Sequence, residues 1–383
     1  MREARVSIFM IGANVRRMTQ LMVQPMVRFL PILLASVLAA CTMSNPYFDP
    51  AKPHHTPEGF RNNYPHEGRQ SFWKWKWEQI RDGLPKKPEG GYRFEVVRQA
   101  NPAALANPSV TWIGHATMLL RVGGLNILTD PQFSTRASPL SFSGPKRVVE
   151  PAIPLADLPH IDIVLISHSH YDHLDAASVQ ALAAQPDGPP RFYVGLGLKS
   201  WFATLGITNV EEMDWWDART LGSAVIRFVP VQHWSARTPW DRNQTLWGGF
   251  VFEESGFRFF FAGDTGYSPD FRDIAARVGR IDFAAIPIGG YAPRWFMRVM
   301  HTDPDEAVRI HLDLGARQSV AMHWGTFDDL TDESLYEPPE RLRAALAARG
   351  VSDDAFWVLK HGESRSLELA DKPATAGHDA SRQ

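Results

Sequence analysis

The chain reads as an α/β protein, two sheets sandwiched between layers of helix in a four-layer αββα arrangement. Three observations predict this. Apolar runs of strand length alternate with helical segments from Val110 onward. The order is strands, helix, strands, helix, strand, helix, strand, helix, and the two halves are similarly patterned without a sequence repeat. An apolar run that reads as a buried strand, Ile161-Asp162-Ile163-Val164-Leu165-Ile166, runs directly into Ser167-His168-Ser169-His170-Tyr171-Asp172-His173, a rigid edge feeding a loop dense in ligating groups.

The elements follow in chain order. Val110 to Val122 and Leu125 to Leu128 alternate as strands, with Gly123-Gly124 as the turn between them. Asp175 to Ala184 and Gly197 to Leu205 have helical spacing. Val225 to Val231, Trp247 to Glu253 and Phe257 to Phe261 are strands, the last two joined through Ser255-Gly256. Asp270 to Val278 is helical and Phe283 to Ile286 is a buried strand. Thr302-Asp303-Pro304-Asp305-Glu306 combines cap residues, a first-turn proline and acids, so a helix starts there and runs to Leu314 before Gly315. Ser319 to Met322 is a short strand ending at His323, and Pro339 to Ala348 is a helix.

At 383 residues the chain holds one large domain or two small ones. Forty basic against 42 acidic residues leave a net charge of −2, too little to attract nucleic acid, so no nucleic-acid partner is expected. Arg28 precedes an apolar stretch from Phe29 to Ala40 that closes on Leu38-Ala39-Ala40-Cys41. The stretch is short for a membrane span and has the build of a secretory signal. Its end resembles a bacterial lipobox, so residues 1–41 are expected to be a lipoprotein-type signal with Cys41 as the acylated anchor. Cys41 is the only cysteine, which suits an oxidising envelope compartment. Residues 42–108 lack periodicity and read as a tether and extended arm; 109–370 form the main domain, and 371–383 a disordered tail. Within the arm, Phe72-Trp73-Lys74-Trp75-Lys76-Trp77 suits a membrane–water boundary, but clasp-like packing on the main domain is the favoured reading because the run is short and Glu78 follows.

Three imidazoles and a carboxylate within six positions form an H-x-H-x-D-H cluster, chemistry suited to zinc and similar divalent ions. His233, Asp264 and His323 each follow an apolar strand, where a rigid edge gives way to a loop. Taken singly, each would be a turn residue or a satisfied core group.

The H-x-H-x-D-H loop, the later His233, the Gly263-Asp264-Thr265 turn and His323 together resemble the metallo-β-lactamase superfamily. That resemblance implies its αββα fold with metals at one edge, and two Zn²⁺ per chain. It implies that His168, His170 and His233 hold one ion, that Asp172, His173 and His323 hold the other, and that Asp264 bridges them. Asp130, in Leu128-Thr129-Asp130-Pro131, would orient the metal loop from behind the ligands, with His115 nearby. Gly114-His115-Ala116-Thr117, Ser134 to Pro139, Gly144 to Arg147, Phe259 to Tyr267, Pro293 to Met297 and His323 to Phe327 are also similar to N-acylphosphatidylethanolamine-hydrolysing phospholipases D. These stretches cover Val110 to Ala348; Ala292 departs from that family's pattern, where Glu is expected.

Two divalent ions about 3.5–4 Å apart can clamp both ends of an in-line displacement and furnish a nucleophile at neutral pH. By the resemblance, the reaction is hydrolysis of such a phospholipid to N-acylethanolamine and phosphatidic acid. Asp172 and His301 would take part in it, His301 at the phosphate beside the helix start at Thr302. Arg294 is weighed equally between substrate contact and structural ion pair. Trp234, Trp240, Trp295, Phe296 and Met297 could line an apolar approach. The alternative is a hydrolase of the same fold acting on a lactone, another ester or a small phosphodiester. The expected partners are the phospholipid, the membrane through the anchor, and a second copy in a homodimer; the expected location is the bacterial cell envelope, at the outer membrane or the periplasmic face.

Overall fold

A computed structural model describes residues 45–68, 70–83 and 87–368. The signal segment, Cys41 and the tail 371–383 lie outside the described residues.

Two seven-stranded mixed sheets pack face to face. In the first, the spatial order is Ser364–Ser366, Ser109–Gly114, Thr117–Val122, Leu125–Thr129, Ile163–Ile166, Arg191–Gly195 and Val210–Met213. In the second it is Ala218–Leu221, Ala224–Val229, Gly249–Glu254, Phe257–Phe261, Phe283–Pro287, Gln318–Met322 and Phe356–Trp357. Each sheet begins with antiparallel hairpins and continues with parallel strands. The similar patterning of the two halves therefore has a topological counterpart.

The period-2 geometry of a strand explains why Ile163–Ile166 is apolar at every position. Ile163 and Leu165 face the second sheet within the inter-sheet core, alongside Phe228, Phe250 and Phe261. Val164 and Ile166 face outward, against Val179 and Leu182 of helix Ala176–Ala183 and Phe202 of helix Leu198–Thr204. On the other outer face lie helices Asp270–Val278, Pro304–Asp313 and Glu337–Ala348, which bury Phe271, Ile274, Val308 and Leu342. The helix at Pro304 starts on a capping box: Glu306 N donates to Asp303 Oδ1 at 2.9 Å, and Asp303 N donates to Glu306 Oε2 at 3.4 Å.

Three sequence expectations are corrected. The run Val110 to Val122 is not one strand but a tight hairpin, because Gly114 (φ 145°) and His115 (φ 53°) turn the chain back on itself. Strands Arg191–Gly195, Val210–Met213 and Ala218–Leu221 had no predicted counterpart; Glu211 and Glu212 break the apolar pattern of an edge strand. The arm is not extended throughout. Phe72–Asp82 is a helix capped by Ser71, whose side chain accepts from Lys74 N. Trp75 packs inward as a clasp, stacked on Phe296 with ring centres 4.9 Å apart, and donates to Asp332 at 2.7 Å. Trp73 and Trp77 face outward. Residues 45–68 lie against the sandwich, where Lys52, His54 and His55 all converge on Asp214.

Candidate metal centre

Both sheets deliver their polar residues to one edge, at the carboxyl ends of parallel strands, where α/β sheets place ligand sites. Strand Ile163–Ile166 releases the loop carrying His168, His170, Asp172 and His173. Strands Phe257–Phe261 and Gln318–Met322 are followed by Asp264 and His323. His233 lies four residues beyond Ala224–Val229. Gly263 is required in this turn: its φ is 60°, and a Cβ there would lie 2.4 Å from Ser167 Cβ.

The seven residues, joined by His115, converge as two groups of four with ligand atoms close enough to share an ion. One is His168, His170, His233 and Asp264; the other is His115, Asp172, His173 and His323. In the first, His170 Nδ1 is 2.8 Å from His168 Nε2 and 3.3 Å from His233 Nε2, while Asp264 Oδ2 is 3.9 and 3.8 Å from those two Nε2 atoms. In the second, Asp172 Oδ2 is 3.1 Å from His115 Nε2 and 3.4 Å from both His173 Nε2 and His323 Nε2. Asp264 joins the two groups, with Oδ2 3.1 Å from His173 Nε2 and Oδ1 3.1 Å from His323 Nε2.

A model of the beta-lactamase superfamily domain matches residues 125–324. An N-acyl-phosphatidylethanolamine-hydrolyzing phospholipase D of Caenorhabditis elegans is 40% identical over 264 residues, covering 66% of this chain and 74% of the relative. The chain belongs to the beta-lactamase superfamily. A mitochondrial enzyme of the same description from Saccharomyces cerevisiae is 36% identical, across 64% of this chain and 53% of the yeast protein. A metal-dependent hydrolase of Rubrobacter xylanophilus is 30% identical, across 68% and 96%. Among solved structures, a possible metal-dependent hydrolase of Veillonella parvula superposes with a TM-score of 0.55 at 18% identity, over 68% of this chain and all of that one; this likeness shows the fold alone.

The hydrogen bonds behind these superfamily residues aim their lone pairs inward. Asp130 Oδ1 accepts from Ser167 N at 2.7 Å, and Oδ2 accepts from Ser167 Oγ at 2.6 Å and His173 Nδ1 at 2.6 Å. The Ser167 hydroxyl has one proton, committed to Asp130, so at 2.8 Å it accepts from His168 Nδ1. His233 Nδ1 donates to Met300 O at 2.8 Å, and His323 Nδ1 lies 3.3 Å from Gly289 O. His168, His173, His233 and His323 thus carry their proton on Nδ1 and offer Nε2 to the centre, the arrangement that metal-binding histidines need. His173 Nε2, His323 Nε2 and Asp264 Oδ1 are buried without any hydrogen-bond partner. Buried polar atoms are otherwise satisfied, so this unmet set in one place fits divalent ions, whose nitrogen and oxygen ligands it supplies.

Burial, the largest influence on every imidazole here, holds His168 well below its ordinary pKa, His170 at about 4 and His233 at about 3. These three are neutral and ready to bind a cation. Burial acts in the same direction on His173 and His323, but Asp264 and Asp172 outweigh it: His173 is held well above its usual range and His323 rises to about 9. In metal-free protein these two are therefore protonated at neutral pH, and a metal must displace their protons. Calorimetric titration of zinc into metal-stripped protein, in buffers of differing ionisation enthalpy, is expected to show two behaviours. Uptake by the His168, His170 and His233 group releases no proton and has a pH-independent affinity. Uptake by the His173 and His323 group releases protons, and its affinity rises with pH towards about 9. A single proton-neutral uptake would contradict the charge states assigned.

Some residues of the site carried no signal in the sequence. Asn62, from the arm, donates to His233 O at 3.0 Å and accepts from His233 N at 3.1 Å, pinning that ligand's backbone. Glu333 accepts from Gly290 N at 2.5 Å and Ala292 N at 3.0 Å, so a carboxylate from another loop braces the segment where the related family's pattern expects Glu at position 292. A Cβ at Gly290 (φ 85°) would stand 3.0 Å from His323, which explains why this braced segment must stay bare. Arg294 is a structural ion pair: it donates to His301 O at 2.8 Å and to Glu306 at 2.8 Å. His301 itself sits at the edge of the centre with Nδ1 unpartnered, 3.8 Å from Asp264 Oδ2.

A cleft of about 390 Å³ opens above the metal groups. His170, Asp172, His233, Asp264 and His301 line its floor, and Phe72, Trp75, Phe296 and Met297 supply an apolar wall. Trp234 also lines it, whereas Trp240 is 83% exposed on the adjoining loop and Trp295 lies beneath Lys74.

Proposed function

We propose that this metal-dependent hydrolase is a phospholipid phosphodiesterase that cleaves N-acylphosphatidylethanolamine-type lipids into N-acylethanolamine and phosphatidic acid. The observation that carries the reading is the cleft: a floor of ligands for cations beneath a wall of aromatic and Met side chains, the pairing that an anionic head group on acyl chains requires. The worm and yeast relatives, both N-acyl-phosphatidylethanolamine-hydrolyzing phospholipases D by name, support the same substrate class.

Divalent ions held by His168, His170 and His233 and by Asp172, His173 and His323, with Asp264 between, would supply a nucleophile at neutral pH and positive charge for the oxyanion that develops at phosphorus. The chain's own residues orient the reaction. Asp172 holds His115, His173 and His323 together, and Asp264 ties that group to His168 and His233. His301 is kept neutral by burial, its pKa lowered to about 3, and faces the cleft beside the start of helix Pro304–Asp313. It is therefore a hydrogen-bonding partner for a phosphate oxygen rather than a counter-charge, with its backbone held by Arg294. The Phe72, Trp75 and Phe296 wall excludes water from the acyl side. An apolar substrate also suits the envelope location and the acylated Cys41 proposed from the signal segment.

The test is product analysis. Zinc-loaded protein is expected to release N-acylethanolamine from N-acylphosphatidylethanolamine in detergent micelles. Turnover of lactones, carboxylic esters or small phosphodiesters with none of this lipid would overturn the proposal in favour of the alternative substrate class.

A further inference from the structure

The large apolar side chains that the fold leaves in water are not scattered. Of nine among the described residues, seven fall on three segments that also line the cleft. Helix Phe72–Asp82 lines it with Phe72 and Trp75, the loop beginning at Ala137 with that residue, and the loop after His233 with Trp234, Arg242 and Asn243. The same helix exposes Trp73 and Trp77 at 79% and 61%, and Ile80 at 76%; the loops expose Phe142 at 77% and Trp240 at 83%. Trp73, Trp77 and Ile80 recur at i, i+4 and i+7, so they form one stripe on the helix face opposite the Trp75 clasp. Lys76 borders the stripe on one side and Lys74 and Arg81 on the other, where Lys74 pairs with Glu78 at 3.8 Å and Arg81 with Asp82 at 2.6 Å, leaving the helix one basic side chain in surplus. An outward aromatic stripe with basic flanks is the build of a helix that lies in a lipid–water interface.

The start of the described chain points to the same face. Asn45 donates from its side chain to Gly59 O at 2.8 Å, and the next residue, Phe60, donates from N to Asn243 O at 2.8 Å, at the cleft mouth. Cys41 is four residues before Asn45, and four residues reach at most about 14 Å. An acyl group there would enter a membrane within that reach of Asn45.

We infer that the rim of the cleft, formed by helix Phe72–Asp82 and the loops bearing Phe142 and Trp240, is a bilayer-docking surface that seats the mouth of the site on the lipid headgroups, independently of any acyl anchor. The bilayer it fits is anionic at its surface, matching the basic surplus of this helix. This goes beyond the proposed reaction, because docking requires no particular substrate. None of Trp73, Trp77, Phe142 and Trp240 lines the cleft.

Co-sedimentation with vesicles tests it, using the zinc-loaded chain from residue 42 onward, which retains every described residue and lacks Cys41. The vesicles contain phosphatidylethanolamine and phosphatidylglycerol and no N-acylated lipid. The protein is expected to sediment with them. The triple substitution Trp73→Ser, Trp77→Ser and Trp240→Ser should lower the partition coefficient about tenfold or more, and Phe142→Asp, on a separate loop, several-fold. Both variants should hydrolyse a water-soluble phosphodiester, if the unsubstituted protein does, at an unchanged rate. Absence of sedimentation, or equal partition of both variants, would overturn the inference. So would lipid-free self-association that the triple variant abolishes, which would assign the face to a second copy. Vesicle binding without turnover of N-acylphosphatidylethanolamine would leave docking standing and defeat only the proposed substrate.

Discussion

Replacing Asp264 by Asn is expected to abolish hydrolysis without unfolding the protein. Among the described residues Asp264 is the one carboxylate in contact with both imidazole groups, reaching His173 and His323 at 3.1 Å each and lying 3.8–3.9 Å from His168 and His233. An amide cannot balance two cations. Loss of about 4 kcal/mol of transition-state stabilisation by the metal pair corresponds to about 10³-fold in rate. Metal content measured by mass spectrometry should fall in parallel. The fold should be retained, because Asn fills the same volume and His173 and His323, whose charge Asp264 sustains, can release their protons once it is gone. Full activity with one or both metals retained would show that the two groups do not act through this carboxylate.

Asp130 offers the complementary experiment, in which the side chain is silent in the reaction but decisive for the fold of the site. It is fully buried and accepts from Ser167 N, Ser167 Oγ and His173 Nδ1. Burial pushes its carboxyl up, yet His173 and Ser167 pull it back, and we place the shared proton on His173, which is held well above its usual range. Asp130→Ala strands three donors and is expected to cost about 3–5 kcal/mol in denaturant unfolding. Asp130→Asn separates packing from chemistry. It fills the same space, but its NH₂ cannot accept from His173 Nδ1, so the imidazole moves its proton to Nε2 and turns a donor towards the centre. Metal affinity at that group should fall roughly 10–100-fold with the fold retained. An Asp130→Asn protein that binds metal normally would refute the tautomer assignment.

The loop from His168 to His173 was legible because its ligands are adjacent in sequence and follow an unmistakable buried strand. His233, Asp264 and His323 were legible only as residues after strands, and their grouping came from resemblance, since nothing local says which strand ends share an edge. Asn62 and Glu333 were invisible. Each acts through a backbone more than forty residues away in the chain, and neither belongs to a motif of ligand type. The arm helix misled the reading for a different reason: Phe72-Trp73-Lys74-Trp75-Lys76-Trp77 alternates in sequence, but at 3.6 residues per turn the same residues divide into a buried face with Trp75 and an exposed one with Trp73 and Trp77. His115 was placed near the site, yet the hairpin turn that brings its Nε2 within 3.1 Å of Asp172 was read as uninterrupted strand.

The sequence by itself determined the αββα fold class, the elements that build it and the chemical type of the loop after Ile166, because strand periodicity, helix capping and clustered imidazoles are short-range properties. Only the tertiary structure decided which nitrogen each imidazole presents, how Asp264 is shared, and that an apolar rim surrounds the cleft. Those depend on hydrogen bonds and packing between segments that meet solely through the topology of the two sheets, and no local pattern encodes where a distant carbonyl or carboxylate will stand.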